Sequence, residues 1–336
     1  MERGAVFRPF SSCARRLSSY ARRSQPGSGA RRLRELIAAP DIVVLPGAFD
    51  CFSARLIESE GFDACFITGQ GLSGSLIGRP DYGFLTASET LGAAARTCST
   101  VSIPVVADLD TGFGGPMNVF RTIEQAACDG IAGFILEDQE WPKKCGHMHG
   151  RGSPKRVIPS AEHAAKIAAA AEARGDSDMV IIARTDARAE HGLDEAIRRG
   201  QEYHAAGADV IFVEAPQSKR EFAIIREAFE PHVPLFANVF EGTPYRETIL
   251  SSSELQQLGY AMVVYPMSFM FAAVHGMRTK LRELKSIGVT EGHAANAQAM
   301  VGYDEYLNVI GLHHFRELED AYALNGRGQF PPSRER

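Results

Sequence analysis

None of the six cysteines (13, 51, 65, 98, 128 and 145) stands in a C-x-x-C pair. A zinc site or redox dithiol built on that spacing is therefore unsupported. A chain of 336 residues needs no disulfides to hold a core, so the thiols read as reduced. Cys51, Cys65, Cys98 and Cys128 lie in apolar surroundings and read as small core residues. No run approaches the roughly 18 uninterrupted apolar residues that a membrane span requires. There is no excess of positive charge either: the net is −5, which gives no general attraction for nucleic acid. With 45% hydrophobic and 23% charged residues, the chain is too apolar and too mixed for disorder.

Acids are scarce in one place only. Residues 1–34 hold nine Arg and six Ser, no Lys, and a single acid, Glu2. The rest of the chain carries 27 basic and 40 acidic residues, a net of −13. An Arg-rich, Ser-rich, acid-poor arm is the composition of a mitochondrial transit peptide, with a cleavage region at Arg15–Tyr20. The alternative is a basic tail on a cytoplasmic protein. The chain thus divides into an arm (1–34), a body (35–286) and a C-terminal part (287–336). In the last, Ala294–Tyr306 and Leu307–Tyr322 read as helices before a polar tail from Gly326.

The body repeats one pattern. A short run rich in Val, Ile, Phe or Ala ends in a polar residue, and a loop and a helix-period segment follow. The runs are Ile42–Gly47, Ala64–Gly69, Pro104–Asp110, Gly133–Asp138, Met179–Asp186, Asp209–Ala215, Pro234–Val239 and Tyr260–Pro266. Near-continuous apolar runs suit parallel strands buried on both faces. Ala161–Arg174, with Ser160 as a cap, and Leu193–Ala206 are the clearest helices between them. Eight such units predict an α/β fold, a closed (β/α)8 TIM-type barrel with extra C-terminal helices. The rival is a dinucleotide-binding fold. Gly69-Gln70-Gly71-Leu72-Ser73-Gly74 has its glycine spacing, but Gly78 and Pro80 interrupt the helix expected behind it.

Barrel active sites lie at the carboxyl ends of the strands. There the sequence places Thr68-Gly69, Asp108 and Asp110, Glu137-Asp138, Arg184-Thr185-Asp186, Glu214 and Asn238. Six acids and one Arg at one mouth repel one another unless a counter-ion joins them. A hard divalent cation is the economical answer: Mg²⁺, with Mn²⁺ as a substitute, held by Asp108, Asp110 and Glu137. Asp108 and Asp110 are two apart and share a strand face. Any one of these acids alone reads better as a helix cap. A second cluster follows strand four, Lys143-Lys144-Cys145-Gly146-His147. A thiol flanked by two ammonium groups and an imidazole has a lowered pKa. Glycines around it make the segment loop-like, as in a lid that closes on substrate. In isolation the pentapeptide reads as a surface loop with an incidental Cys.

These residues carry a resemblance. The chain resembles the isocitrate lyase/phosphoenolpyruvate mutase superfamily over about residues 40–290. The resemblance rests on Leu45–Asp50, Ala107–Gly114, Leu136–Gln139, Lys143–His147, Ala183–Ala187 and Phe212–Pro216. The Lys-Lys-Cys-Gly-His loop points to the lyase branch. The resemblance implies a Mg²⁺-dependent barrel enzyme for small di- or tricarboxylates, with C-terminal helices swapped within a homotetramer or a helix-swapped homodimer. Asp108 would be the nearest metal ligand, and Asp110 and Glu137 would act largely through water. Cys145, His147, Lys144 and Arg184 would be catalytic. Thr68, Gly69, Gln70, Asp81, Gly146, Glu214 and Asn238 would bind substrate. His147 would hold a carboxylate and set the protonation of Cys145.

Two departures narrow the branch. Phe66-Ile67-Thr68-Gly69 replaces the Tyr-x-Ser-Gly of strict isocitrate lyases, so a phenol hydroxyl is missing, and Gln70 stands where an aromatic is common. Glu241-Gly242-Thr243-Pro244 looks closer to the branch with oxaloacetate acetylhydrolase and the alkylmalate lyases. The expected reaction is C–C cleavage of a 2-methylisocitrate- or alkylmalate-type acid with Cys145 as proton donor. The alternative is hydrolysis of oxaloacetate to oxalate and acetate. Phosphonate chemistry gives the Cys loop no role. A non-catalytic barrel would be expected to have lost some of these groups, and all remain.

Overall fold

Residues 28–144, 155–290 and 300–323 are described by the computed structural model. Eight parallel strands pair in sequence order and close on themselves, β8 against β1. They are β1 (Val43–Ala48), β2 (Cys65–Ile67), β3 (Val105–Asp108), β4 (Gly133–Glu137), β5 (Val180–Thr185), β6 (Val210–Val213), β7 (Leu235–Asn238) and β8 (Met262–Tyr265). Seven lie within the apolar runs and β1 extends one residue past its run, to Ala48, so the barrel expectation holds. Helices alternate with them: α1 (Ser28–Ala38), α2 (Cys51–Ser59), α3 (Gly69–Ile77), α4 (Ala87–Cys98), α5 (Pro116–Cys128), α6 (Ser160–Arg174), α7 (Ala187–His191), α8 (Leu193–Ala205), α9 (Lys219–Glu227) and α10 (Ser252–Gln257). The C-terminal helices are α11 (Ser268–Ile287), α12 (Tyr303–Val309) and α13 (Leu312–Tyr322).

The period-2 alternation of a strand sorts the side chains into two cores. Val43, Leu45, Phe66, Val106, Ile135, Val180, Ile182, Val210, Phe212, Phe236, Met262 and Val264 fill the barrel interior. Their neighbours, among them Ala107, Phe134, Leu136, Ile181, Ala183, Ile211 and Leu235, pack outward on the helices. Leu33 of α1 joins the interior cluster and is fully buried. Arg34 adds two hydrogen bonds to Asp209, at 3.1 and 3.2 Å. The compositional boundary at residue 34 therefore falls inside a helix that begins at Ser28 and packs on the barrel.

Several local expectations change. The glycine-rich stretch after β2 is itself helical. Thr68 caps it, accepting from the Gly71 N–H at 3.3 Å, and Gly78 ends it in the left-handed region. Ser160 is the first residue of α6 rather than its cap. Cys65 is buried as expected and burial pushes its thiol up, but Cys128, the last residue of α5, is exposed. Of the helices expected over Ala294–Tyr322, residues 294–299 lie outside the described residues; α12 starts at Tyr303, and its break from α13 falls at Gly311, in left-handed backbone, rather than at Leu307. No helix among the described residues is long and apolar enough to cross a membrane.

One buried group makes stability depend on pH. His163 of α6 is fully buried, edge-on to Tyr203 at 4.6 Å, and its ring has the Leu136 backbone nearby but no well-formed hydrogen bond among the described residues. Burial first, then Lys166 and Arg199, hold its pKa down at about 3. The unfolded imidazole, near 6.5, takes up a proton that the folded one refuses. This stability is complete above about pH 6.5 and is lost as pH falls, at up to about 1.4 kcal/mol per unit. We expect His163→Leu to remove about 2 kcal/mol of the stability difference between pH 7 and pH 5. Urea unfolding at the two pH values checks this, and equal pH dependence in both proteins would refute it.

Candidate active site

The inward series of six strands, β2 to β7, ends in a polar group. Val106 is followed by Asp108, Ile135 by Glu137, Ile182 by Arg184, Phe212 by Glu214, Phe236 by Asn238, and Phe66 by Thr68. Alternation therefore delivers all six to the carboxyl-end mouth. Thr68, Gln70, Asp81, Asp108, Arg184, Glu214 and Asn238 line one cavity with Lys143. Its other walls are apolar, with Phe66, Phe212, Phe240 and Met267 among them. Asp138, the sixth acid expected at the mouth along with Asp186, has the opposite parity and faces away, into the layer between β4 and α8.

Arg184 is the organising cation. Its Nε and Nη2 donate to the two oxygens of Asp186 at 2.9 and 3.0 Å. Glu137 Oε2 lies 3.4 Å and Glu214 Oε1 3.6 Å from the guanidinium, which sits 5.3 Å over the Phe212 ring. Burial works against its charge, but Asp186, Glu214 and Glu137 outweigh that and hold it firmly protonated. Asn238 Nδ2 donates to Glu214 at 3.3 Å.

On the other side of the mouth stands Lys143, which sequence reading passed over in favour of Lys144. Its ammonium is buried, 2.8 Å from both oxygens of Asp81 and 2.6 Å from Asp110 Oδ1. Lys144 does not line the cavity; its backbone N–H and carbonyl bracket the Gln139 side chain at 2.9 Å each. That pairing turns the chain so that Lys143, not Lys144, reaches inward. Cys145, Gly146 and His147 lie outside the described residues.

The acids show what the mouth can hold. Glu137 Oε1 is buried with no hydrogen-bond partner among the described residues, and the contact of Asp110 Oδ1 with Lys143 lacks hydrogen-bond geometry. Burial pushes the Asp110 carboxyl up to about 7; Lys143 opposes this, and Asp108 and Asp81 add to it. Burial likewise raises Glu137, against Arg184 and Lys143. Hard oxygens with unfilled valence fit a small divalent cation. No three His, Cys, Asp or Glu among the described residues already converge as a metal cluster. Asp110 adopts left-handed backbone (φ 52°), with its N–H on Asp108 Oδ1 at 3.1 Å and its carbonyl on the Glu137 N–H at 2.9 Å.

Gly69 leaves space for this arrangement. A Cβ there would meet Asp108 Oδ2 at 2.8 Å and Asp110 Oδ1 at 3.4 Å. Gly69→Ala, favourable for the helix by about 1 kcal/mol, is expected to displace Asp108 and lower kcat/KM by about 10²-fold. Steady-state kinetics beside a melting curve separates the two effects. Unchanged kinetics would show that the position of Asp108 is not critical.

Residues 33–285 match the phosphoenolpyruvate phosphomutase family. A chloroplastic protein of Arabidopsis thaliana named carboxyvinyl-carboxyphosphonate phosphorylmutase is 41% identical over 87% of this chain and 84% of its own. The 2,3-dimethylmalate lyase of Eubacterium barkeri is 40% identical over 88% of this chain and 98% of its own. A solved oxaloacetate acetylhydrolase, bound to 3,3-difluorooxalacetate, superposes with a TM-score of 0.80 at 31% identity, over 88% of this chain and 98% of that one. The barrel, the strand-end acids around Arg184 and these likenesses agree: the chain belongs to the isocitrate lyase/phosphoenolpyruvate mutase superfamily of enzymes.

Proposed function

We propose that this enzyme is a Mg²⁺-dependent carbon–carbon lyase for a small 2-hydroxy dicarboxylate of the alkylmalate type. The observation that carries the reading is the division of the mouth. Arg184 and Asn238 offer a carboxylate its partners, and Phe66, Phe212, Phe240 and Met267 offer an alkyl substituent an apolar wall. Oxaloacetate has no alkyl group to place there. The Eubacterium barkeri relative, named for dimethylmalate, supports the same class. 2-Methylisocitrate, a tricarboxylate, is the larger variant of the same chemistry.

Asp108, Asp110 and Glu137 would hold the cation, which supplies charge neutralisation and acidifies the substrate's α-hydroxyl. Arg184 fixes the adjacent carboxylate through its guanidinium, and Asn238 the far end. One of the strand-end carboxylates would accept the hydroxyl proton; the electron pair freed on oxygen forms the carbonyl of a 2-oxo acid as the neighbouring C–C bond breaks, and that bond's electron pair leaves on an enolate-type carbanion. Lys143 and Arg184 provide the positive surroundings for that carbanion. Cys145 would give its thiol proton to the carbanion carbon, with Lys144 and His147 setting the thiol's charge and Gly146 binding substrate beside it. Thr68, Gly69 and Gln70 form the floor on which the substrate lies.

The same reading extends to assembly and compartment. α11 buries none of its residues, and Phe269, Met277, Leu281 and Leu284 are exposed along it. We place these helices between subunits of a homotetramer or helix-swapped homodimer. The Arg- and Ser-rich arm supports delivery to mitochondria.

The similarity to oxaloacetate acetylhydrolase gives one specific competitor, hydrolysis of oxaloacetate on the same residues. The test is incubation with Mg²⁺ and a panel of 2,3-dimethylmalate, 2-methylisocitrate, oxaloacetate and phosphonopyruvate, with products read by mass. Pyruvate or another 2-oxo acid from the alkylmalate supports the lyase. Oxalate from oxaloacetate alone replaces it with the hydrolase. Cys145→Ser is expected to abolish cleavage, a loss of at least about 10²–10⁴-fold, while leaving Mg²⁺ affinity unchanged. Wild-type turnover in that variant would sink the proton-donor role.

A further inference from the structure

Asp138 follows the mouth residue Glu137, yet it points to the other side of β4 and is fully buried. Its carboxylate accepts from four donors. Thr185 Oγ1, the Asp186 backbone N–H and Tyr203 Oη are each at 2.8 Å, and Arg199 Nη1 is at 3.1 Å. Two of these partners belong to the chain as it leaves β5, immediately after Arg184. The other two stand on α8. Arg199 is itself anchored by Glu195 at 2.9 Å and by the Ile158 carbonyl at 2.8 Å.

Asp186 leaves β5 at φ −96°, ψ 5°, where the chain turns into α7. Its carboxylate is the bidentate partner of Arg184, so any rotation of its backbone swings the guanidinium across the mouth. Packing alone would join β4 to α8 more economically with apolar residues, because a fully buried carboxylate carries a desolvation penalty. The geometry instead directs a buried charge at one backbone N–H.

We propose that Asp138, fixed by Arg199 and Tyr203, is a positioning residue for Arg184: it clamps the Asp186 backbone, and Asp186 in turn aims the guanidinium at the substrate carboxylate. This rests on the proposed role of Arg184 as the carboxylate-binding group. Asp138→Asn turns an acceptor into an amide facing donors, so the clamp opens while the shape is kept.

In the full chain, Asp138→Asn is expected to raise KM for the alkylmalate about tenfold or more, the worth of a hydrogen bond to a charged group, with a smaller change in kcat. Tyr203→Phe removes one donor of four and is expected to raise it about threefold. If Asp138 acts through Asp186, the double variant with Asp186→Asn has the same KM as Asp186→Asn alone, because the second change removes nothing further. A readout independent of turnover is labelling of Arg184 by butane-2,3-dione, mapped by peptide mass, with exposed Arg198 as control. Asp138→Asn and Tyr203→Phe are both expected to speed labelling at Arg184 and leave Arg198 unchanged. Faster labelling without alkylmalate turnover would uphold the clamp and overturn only the substrate assignment. Lower melting temperature with unchanged Arg184 labelling, or KM effects that multiply in the double variant, would overturn the clamp. Should Asp138→Asn fail to fold, the Tyr203→Phe labelling decides alone.

Discussion

Replacing Lys143 with methionine is expected to cost about 3–5 kcal/mol of folding stability, the range for stranding the partners of a buried ion pair. For a chain of this size that lowers the melting temperature by roughly 4–7 °C. The side chain is 2% exposed, and methionine fills most of its volume, so packing contributes little to the loss. Charge is the larger matter. Burial opposes the ammonium, but Asp110, Asp81, Glu137 and Asp108 together outweigh burial and keep it protonated. Without it those acids face one another, with Arg184 still beside Glu137. Asp110 is already pushed up to about 7 with Lys143 in place. If the acids also hold Mg²⁺, millimolar Mg²⁺ raises the melting temperature of Lys143→Met more than that of the wild type. Scanning calorimetry with and without the ion measures both terms. An unchanged melting temperature in the metal-free variant would show that the ammonium does not compensate these acids. An equal Mg²⁺ response in both proteins would remove the cation from the site.

The contrast between Lys143 and Lys144 marks how far the sequence could be read. Near-continuous apolar runs alternating with helix-period segments made the barrel legible, because its strands are buried on both faces. The polar residues at the run ends identified Asp108, Arg184, Glu214 and Asn238, and in the structure each continues an inward series. Glu137 and Asp138 are adjacent, however, and a run-end reading assigned both to the mouth. Only the register of β4 against β5, with Glu137 beside Arg184, separates the two roles. Lys143 was missed because it follows the strand at a distance where no periodicity applies; a side-chain bond from Gln139 sets its direction. The start of α1 was missed for a different reason. Arg31, Arg32 and Arg34 share the arm's composition, but Arg34 is bound to Asp209 and Leu33 plugs the barrel. Composition reports what residues are, and burial decided here what they do.

The most severe loss is expected at Arg184, and Arg184→Lys is the sharper test because it keeps the charge. A lysine ammonium can meet one oxygen of Asp186 but cannot span both, and it has no planar face to lie over Phe212. It also cannot stay within reach of Glu137 and Glu214 at once, as the fork now does at 3.4 and 3.6 Å. The consequence for substrate follows from geometry. A bidentate pair fixes both position and plane, whereas a point charge fixes only distance. Truncating a buried, hydrogen-bonded charge pair is worth about 2–5 kcal/mol, so kcat/KM is expected to fall by about 10²-fold or more. On the proposed role of Arg184, KM should rise and kcat fall together, because the guanidinium would both bind the carboxylate and set the angle at which the C–C bond opens. Steady-state kinetics on the alkylmalate, beside a melting curve, distinguishes this from unfolding. If Arg184→Lys retained wild-type kcat/KM, positive charge alone would suffice at that corner. The Asp186 fork, and the Asp138 clamp behind it, would then have no part in catalysis.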